Sequence, residues 1–157
     1  MSAEAATQTR TFSLQAPMSR VFPMFTALGE KAWAEGWDPE ILSGAEERGS
    51  VFVTTAHNGR SVTWIVVDYR PAQGKVSYAR MMEESNIGLV DVACSERTPG
   101  MTEVTVRYTL TALNPSAETF VSRFLQSDHY TTMIEEWRVA ITRALGLPVS
   151  REKQTQR

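Results

Sequence analysis

Between Glu40 and Leu113 the chain is cut at short intervals by residues that turn a backbone, and no interval leaves room for a crossover helix. The pieces Ser50–His57, Ser61–Tyr69, Lys75–Met81, Ile87–Ser95 and Met101–Leu113 are rich in Val, Thr, Ile and aromatics, as strands are. Asn58-Gly59, Pro71–Gly74, Glu83–Asn86 and Thr98-Pro99-Gly100 separate them. Parallel neighbours require a connection of a dozen or more residues, so these strands must pair antiparallel, as a meander. A weaker strand, Glu40–Ala45, opens the series, making about six strands joined by short turns. Asn58-Gly59 is the sharpest signal in it, because Asn-Gly accepts the positive φ angles of a two-residue type I′ turn.

Helical periodicity lies on either side of the meander. Arg10–Gln15 alternates as a short strand that Pro17 stops. Met18, Val21, Phe22, Phe25 and Leu28 follow helical spacing, with Pro23 placed to shorten or kink that helix. Gly29–Ala34 reads as a second short helix before the loop Gly36-Trp37-Asp38-Pro39. After Asn114-Pro115, an N-cap followed by proline at the first helical position, the pattern is helical to Leu145. Its apolar face jumps: Ala117, Phe120, Val121 and Phe124 share one side, whereas Tyr130, Met133, Ile134, Trp137, Ile141 and Leu145 share another. A break is therefore expected at Gln126-Ser127-Asp128, and Gly146 and Pro148 close the last helix. Residues 1–8 and 148–157 are polar and read as flexible tails around a single domain, 9–147.

One strand, two short helices, six strands and a long amphipathic helix define an α+β layout. The long C-terminal helix is the element able to cover one face of a curved antiparallel sheet of about seven strands. This layout, with Phe22-Pro23-Met24-Phe25-Thr26, Gly29-Glu30-Lys31-Ala32-Trp33, Gly36-Trp37-Asp38-Pro39 and Trp137, resembles the START and birch-pollen-allergen superfamily. The superfamily is also called SRPBCC, and its members are often described as polyketide cyclases or dehydrases. The resemblance runs from Phe12 to Leu147 and implies a helix-grip fold. It also implies a cavity between sheet and helix for lipids, steroids, polyketides or other apolar molecules. None of the matching stretches is a catalytic signature, so they speak for fold rather than activity.

Composition excludes several classes. A net charge of −2, with both signs dispersed, is not a nucleic-acid footprint. The single cysteine, Cys94, rules out an internal disulfide framework and fits a reducing, cytoplasmic setting. The first ten residues carry no apolar run that would read as a signal peptide, and no stretch is long enough to span a membrane. Neither histidine, His57 nor His129, has a second histidine or a cysteine at metal-ligand spacing, and glycine-rich phosphate loops are absent. No metal or cofactor is expected.

His57 is the candidate catalytic group, a proton-transfer residue with a pKa near working pH. Tyr78 and Arg80 lie on one face of their strand and are placed to hold a carbonyl or carboxylate. With a two-residue turn at Asn58-Gly59, His57, Trp64 and Val66 share one side of the sheet. Tyr78 and Arg80 then fall on the other, with Phe52, Ile65 and Tyr69, unless a bulge intervenes. The tryptophan favours the His57/Trp64 side as the inner one. Candidate ligand contacts are Trp33, Trp37, His57, Trp64, Tyr78, Arg80, Phe124, Tyr130, Met133 and Trp137.

Three functional classes fit. The first is a carrier of a small apolar ligand. The second is a polyketide cyclase or dehydratase using His57. The third is a co-chaperone-like interaction module, which requires an exposed apolar patch. Either a monomer or a homodimer is compatible with the pattern.

Overall fold

The computed structural model describes residues 4–148. A seven-stranded antiparallel sheet has the order β1-β7-β6-β5-β4-β3-β2. Its strands are β1 (Ala6–Leu14), β2 (Glu40–Ser43), β3 (Val51–Thr55), β4 (Ser61–Arg70), β5 (Lys75–Met82), β6 (Asn86–Thr98) and β7 (Met101–Ala112). The meander read from the turns is extended by β1, which returns to pair with β7 and forms the edge opposite β2. β1 begins earlier than the alternation at Arg10 indicates, because Ala6, Thr7 and Gln8 pair with Leu110, Thr109 and Tyr108. Polar side chains hid this edge strand, whose backbone finds its partners on one side only. Residues 6–8 thus belong to β1, whereas 1–3 and 149–157 lie outside the described residues.

Helix α1 (Met18–Val21) runs straight into a 3-10 turn, Phe22–Phe25, at the point where Pro23 removes a backbone donor. A second 3-10 turn spans Gly29–Ala32. At the other end, helix α2 (Pro115–Phe124) starts at Asn114, whose side chain accepts from the Ala117 amide at 2.9 Å. The expected break falls after Phe124. Helix α3 (Ser127–Ala144) is capped by Gln126 rather than Ser127 or Asp128, its Oε1 accepting from the His129 amide at 3.0 Å.

One face of the sheet is buried. Phe52, Val62, Trp64, Val66, Val76, Tyr78, Val90, Val92, Val104, Val106, Tyr108 and Leu110 form its core against Val21, Phe22 and Phe25 on one side and Tyr130, Ile134 and Ile141 of α3 on the other. α3 packs along β1, α1 packs on β6 and β7, and Phe22, Phe25 and Trp37 cover the β3–β5 half.

Two departures from ideal register decide which residues reach that core. The β3–β4 loop is not a two-residue turn: Thr55 pairs with Ser61, and the loop runs from Ala56 to Arg60. Gly59 takes a φ of 83° while Asn58 stays at negative φ, accepting from the Arg60 amide through Oδ1. The one-residue shift puts Phe52 opposite Trp64, where the two rings stack at 5.8 Å with planes 6° apart. Burying that aromatic pair outweighs the local preference of Asn-Gly. The second departure is a bulge at Val67: Val66 pairs with Tyr78, but Asp68 pairs with Ser77. It brings Tyr78 and Arg80 onto the same inner face as Trp64 and Val66. The division of these residues between two faces is thereby corrected.

Candidate functional site

A cavity of about 260 Å³ opens at the β2–β3 end of the grip. Thr26, Ala27 and Leu28 form one wall, Gly44–Glu46 and Ser50–Phe52 a second, and Val66, Tyr69, Val76 and Tyr78 the floor. Each wall has a local cause. Thr26 ends the Pro23 turn, its hydroxyl donating to the Pro23 carbonyl and accepting from the Gly29 amide. Gly29 admits no side chain there, because a Cβ would sit 1.8 Å from the Pro23 oxygen. Ser50 is buried and donates to the Ala45 carbonyl, which folds the β2–β3 loop back onto the sheet. The floor is where the bulge places both Val66 and Tyr69 on the inner side.

Beyond Tyr78 the interior is aromatic. Trp37, Phe52, Trp64 and Tyr78 pack with centroids 5.6–6.1 Å apart, mostly edge to face. A second group joins Trp33 to Trp137 at 5.3 Å and Trp137 to Tyr108 at 6.4 Å. Most polar handles here are occupied by the fold itself. The Trp33 and Trp37 indoles donate to the Met24 and Ala27 carbonyls, each at 2.7 Å, and so clamp the 3-10 segment. Trp64 donates to Thr54, Tyr78 to the Phe25 carbonyl and Tyr130 to the Val106 carbonyl. Burial, reinforced by Glu30, pushes the Tyr78 hydroxyl well above its ordinary range, so it stays a neutral donor.

Arg80 differs. It is 6% exposed, its Nε has no hydrogen-bond partner, and its guanidinium carbon lies 5.5 Å from the Trp64 ring centre. None of the ion pairs among the described residues includes it. Burial lowers its pKa, with Tyr108 acting in the opposite sense. Burial likewise lifts Tyr108 to about 12, with the Arg80 charge opposing it. Glu30, on the second 3-10 turn, is the carboxyl that acts on both Tyr78 and Tyr108. Its own pKa is raised well above the usual carboxylate range by burial. Glu30 as a whole residue is half-buried.

Of the sequence candidates, Tyr78 lines the cavity, while Trp37, Trp64 and Arg80 lie on the inner face next to it. Trp33, Phe124, Met133 and Trp137 are half-buried against the core, and Tyr130 is a fully buried core residue. His57 is not brought to them: it stands exposed in the Ala56–Arg60 loop, past the end of the ladder, where the register shift leaves it. His129 is exposed near the start of α3 and contacts the Phe124 carbonyl. Cys94 is buried, and burial pushes its thiol up to about 12, which makes it inert. No group of His, Cys, Asp and Glu among the described residues could hold a metal. None of their helices is long and apolar enough to cross a membrane. Sequence reading passed over Glu30, Phe52 and Tyr108. The alternation Val104, Val106, Tyr108, Leu110 marks Tyr108 as inward, whereas nothing in Gly29-Glu30-Lys31 marks Glu30.

The chain matches a family model described as polyketide cyclase / dehydrase and lipid transport over residues 5–151. No curated protein matches it in sequence. Among solved structures, norcoclaurine synthase from Thalictrum flavum, in complex with dopamine and hydroxybenzaldehyde, superposes with a TM-score of 0.67 at 8% identity. That match covers 90% of this chain and 89% of the synthase. An uncharacterized protein from Rhizobium leguminosarum gives 0.66 at 18% identity, covering 90% and 97% of the two chains. Ara h 8.0201 gives 0.59 at 14%, covering 78% and 90%. At such identities the likeness is one of fold, and the fold is the helix grip. With the family model spanning nearly its whole length, the chain belongs to the polyketide cyclase / dehydrase and lipid transport family, within the SRPBCC superfamily.

Proposed function

We propose that this protein binds a small apolar, preferably aromatic, molecule between its curved sheet and the segment Thr26–Trp37. The observation that carries this reading is the cavity of about 260 Å³, walled mainly by apolar side chains, whose lining residues Phe52 and Tyr78 pack against the aromatic interior. Small-molecule sites commonly run from roughly 300 to 1,000 Å³, so the modest volume favours a compact ring compound over a steroid or long-chain lipid. Dopamine and hydroxybenzaldehyde in the T. flavum synthase are compounds of that size class, and the family description also includes lipid transport.

Native mass spectrometry of the purified full-length chain tests this directly. Retained mass of one to a few hundred daltons, lost on denaturation and lost in Ala27→Phe, which fills the cavity wall, is the expected result. No retained mass, together with no thermal shift from a panel of aromatic aldehydes, phenols and polyketide-like acids, would refute it.

A second reading, an acid–base enzyme of the cyclase or dehydratase type, is favoured by Glu30. A buried carboxyl with a raised pKa, near two buried tyrosines, is the kind of group that moves protons. In that reading Glu30 takes the role first assigned to His57, which is exposed in its loop. Turnover lost in Glu30→Gln but kept in His57→Ala would support it. The interaction-module reading draws on the outer face of the sheet, where Ile65, Val67, Met81, Ile87 and Leu89 are 37–43% exposed. Light scattering of the purified chain would read self-association through that face.

A further inference from the structure

The chemistry of the ligand can be narrowed, resting on the reading that the interior takes a small molecule. We propose that Arg80 is the recognition point for an acidic group, so that the ligand is an aromatic or other apolar acid whose anionic end is held inside the sheet.

A guanidinium carries five N–H donors and no acceptor, and it stays charged in proteins. Arg80 is buried, yet no carboxylate among the described residues pairs with it and its Nε donates to nothing. The Trp64 ring contacts the guanidinium carbon at 5.5 Å, and a guanidinium's fork of N–H donors is the geometry that takes a carboxylate in bidentate fashion. Arg80 pairs across β5 and β6 with Gly88, which contributes no side chain to the inner face. Gly88 is required there for the backbone, since a Cβ would meet the Thr109 oxygen at 1.9 Å.

The position also matches the cavity. Val66 and Tyr78, a paired rung of the ladder, line it, and the next inner rung along the strands is Trp64 with Arg80. Two residues of strand advance roughly 6–7 Å, about the distance from a carboxylate to the far edge of an attached ring. An acid on Arg80 would thus lay its apolar body across Trp64 and Tyr78 toward the cavity. The titratable group that acts on Arg80 is Tyr108 of β7, and Glu30 of the 3-10 turn acts in turn on Tyr108. Burial favours the neutral form of both, so neither serves as a resident counter-ion.

The test uses two fluorescent probes with the same rings on the full chain: 1-anilinonaphthalene-8-sulfonate, which is anionic, and N-phenyl-1-naphthylamine, which is neutral. Wild type is expected to bind the sulfonate about 10- to 100-fold more tightly than the neutral probe, the span of a charge-assisted contact. Arg80→Met is expected to erase that preference and leave the neutral probe bound as before. Equal or tighter binding of the neutral probe to wild type overturns the proposal. An equal loss of both probes in Arg80→Met, with the fold intact by circular dichroism, also overturns it, because Arg80 would then only support the structure. Should the variant not fold, the Arg80 Nε–Hε resonance of wild type decides: it must shift with the sulfonate and not with the amine. Binding of neither probe to wild type brings down the ligand-binding reading and this proposal with it, an outcome distinct from neutral-probe binding alone.

Discussion

Replacing Arg80 with Met should make the protein more stable, which is the opposite of the usual effect of changing a buried residue. The residue is 6% exposed, its Nε has no hydrogen-bond partner, and none of the ion pairs among the described residues includes it. In real proteins the effective penalty for burying an ion is several kcal/mol, and an unpaired charge recovers little of it. The interaction that offsets it here is the contact with the Trp64 ring at 5.5 Å, worth about 2 kcal/mol when desolvated. Glu30 contributes little, because burial holds its carboxyl toward the neutral form. Met keeps most of the volume in an adaptable apolar side chain, so the new packing defect is small. The difference comes to a gain of about 1–3 kcal/mol. For a domain of this size that corresponds to a rise in Tm of roughly 2–10 °C. Differential scanning calorimetry gives the shift, and urea titration should move the midpoint upward with an unchanged slope. Arg80→Lys keeps the charge, loses the flat stacking surface and should be no more stable than wild type. A fall in Tm for Arg80→Met would mean that the arginine is part of the structural framework, and the reasoning from an unpaired charge would fail.

Three further outcomes follow from the same geometry. Gly88→Ala should destabilise by at least about 2 kcal/mol, since its Cβ meets the Thr109 oxygen at 1.9 Å and the two strands must separate; chemical denaturation reads it. Tyr130→Phe removes the donor to the Val106 carbonyl in a buried site and should cost about 1–3 kcal/mol, whereas a neutral result would mean that the carbonyl finds another partner. Glu30→Gln should raise Tm at pH 8 and have a vanishing effect near pH 4. Because the folded-state pKa of Glu30 lies above its unfolded value, the native state binds the extra proton, and stability is lost as pH rises between the two values. A pH-independent difference between Glu30→Gln and wild type would show that the carboxyl is not held in its neutral form.

The fold was legible because its signals are local and repeated. Short turns between β-rich pieces force antiparallel pairing, and Asn114-Pro115 and the jump in apolar face around Gln126 mark the two terminal helices. The return of β1 as the partner of β7 was less visible, since Ala6–Thr9 have no apolar alternation. Of the site, Tyr78, Trp64, Trp37 and Arg80 could be named from residue type, but their common location could not be settled. Glu30 gave no signal, because only the tertiary fold buries its carboxyl. His57 was attractive for its chemistry, yet the ladder ends at Thr55 and leaves the histidine in solvent.

Side-chain alternation has a period of two, so a single inserted residue exchanges every inner side chain for an outer one. The chain makes two such changes in neighbouring places, the lengthened loop at Ala56–Arg60 and the bulge at Val67. Without the first, Phe52 and Thr54 would lie opposite in sense to Trp64, and both the ring stack and the Trp64–Thr54 hydrogen bond would be lost. Without the second, Tyr78 and Arg80 would turn outward beside Ile65, leaving the cavity floor open and exposing the guanidinium to water. Each irregularity is favoured by what it buries: aromatic surface in one case, and Val66 together with Tyr69 in the other. The charge of Arg80 is carried inside by that second choice. An arginine that the packing of its neighbours draws inward, and that the interior does not neutralise, is on the proposed reading the feature that selects an acid among apolar ligands.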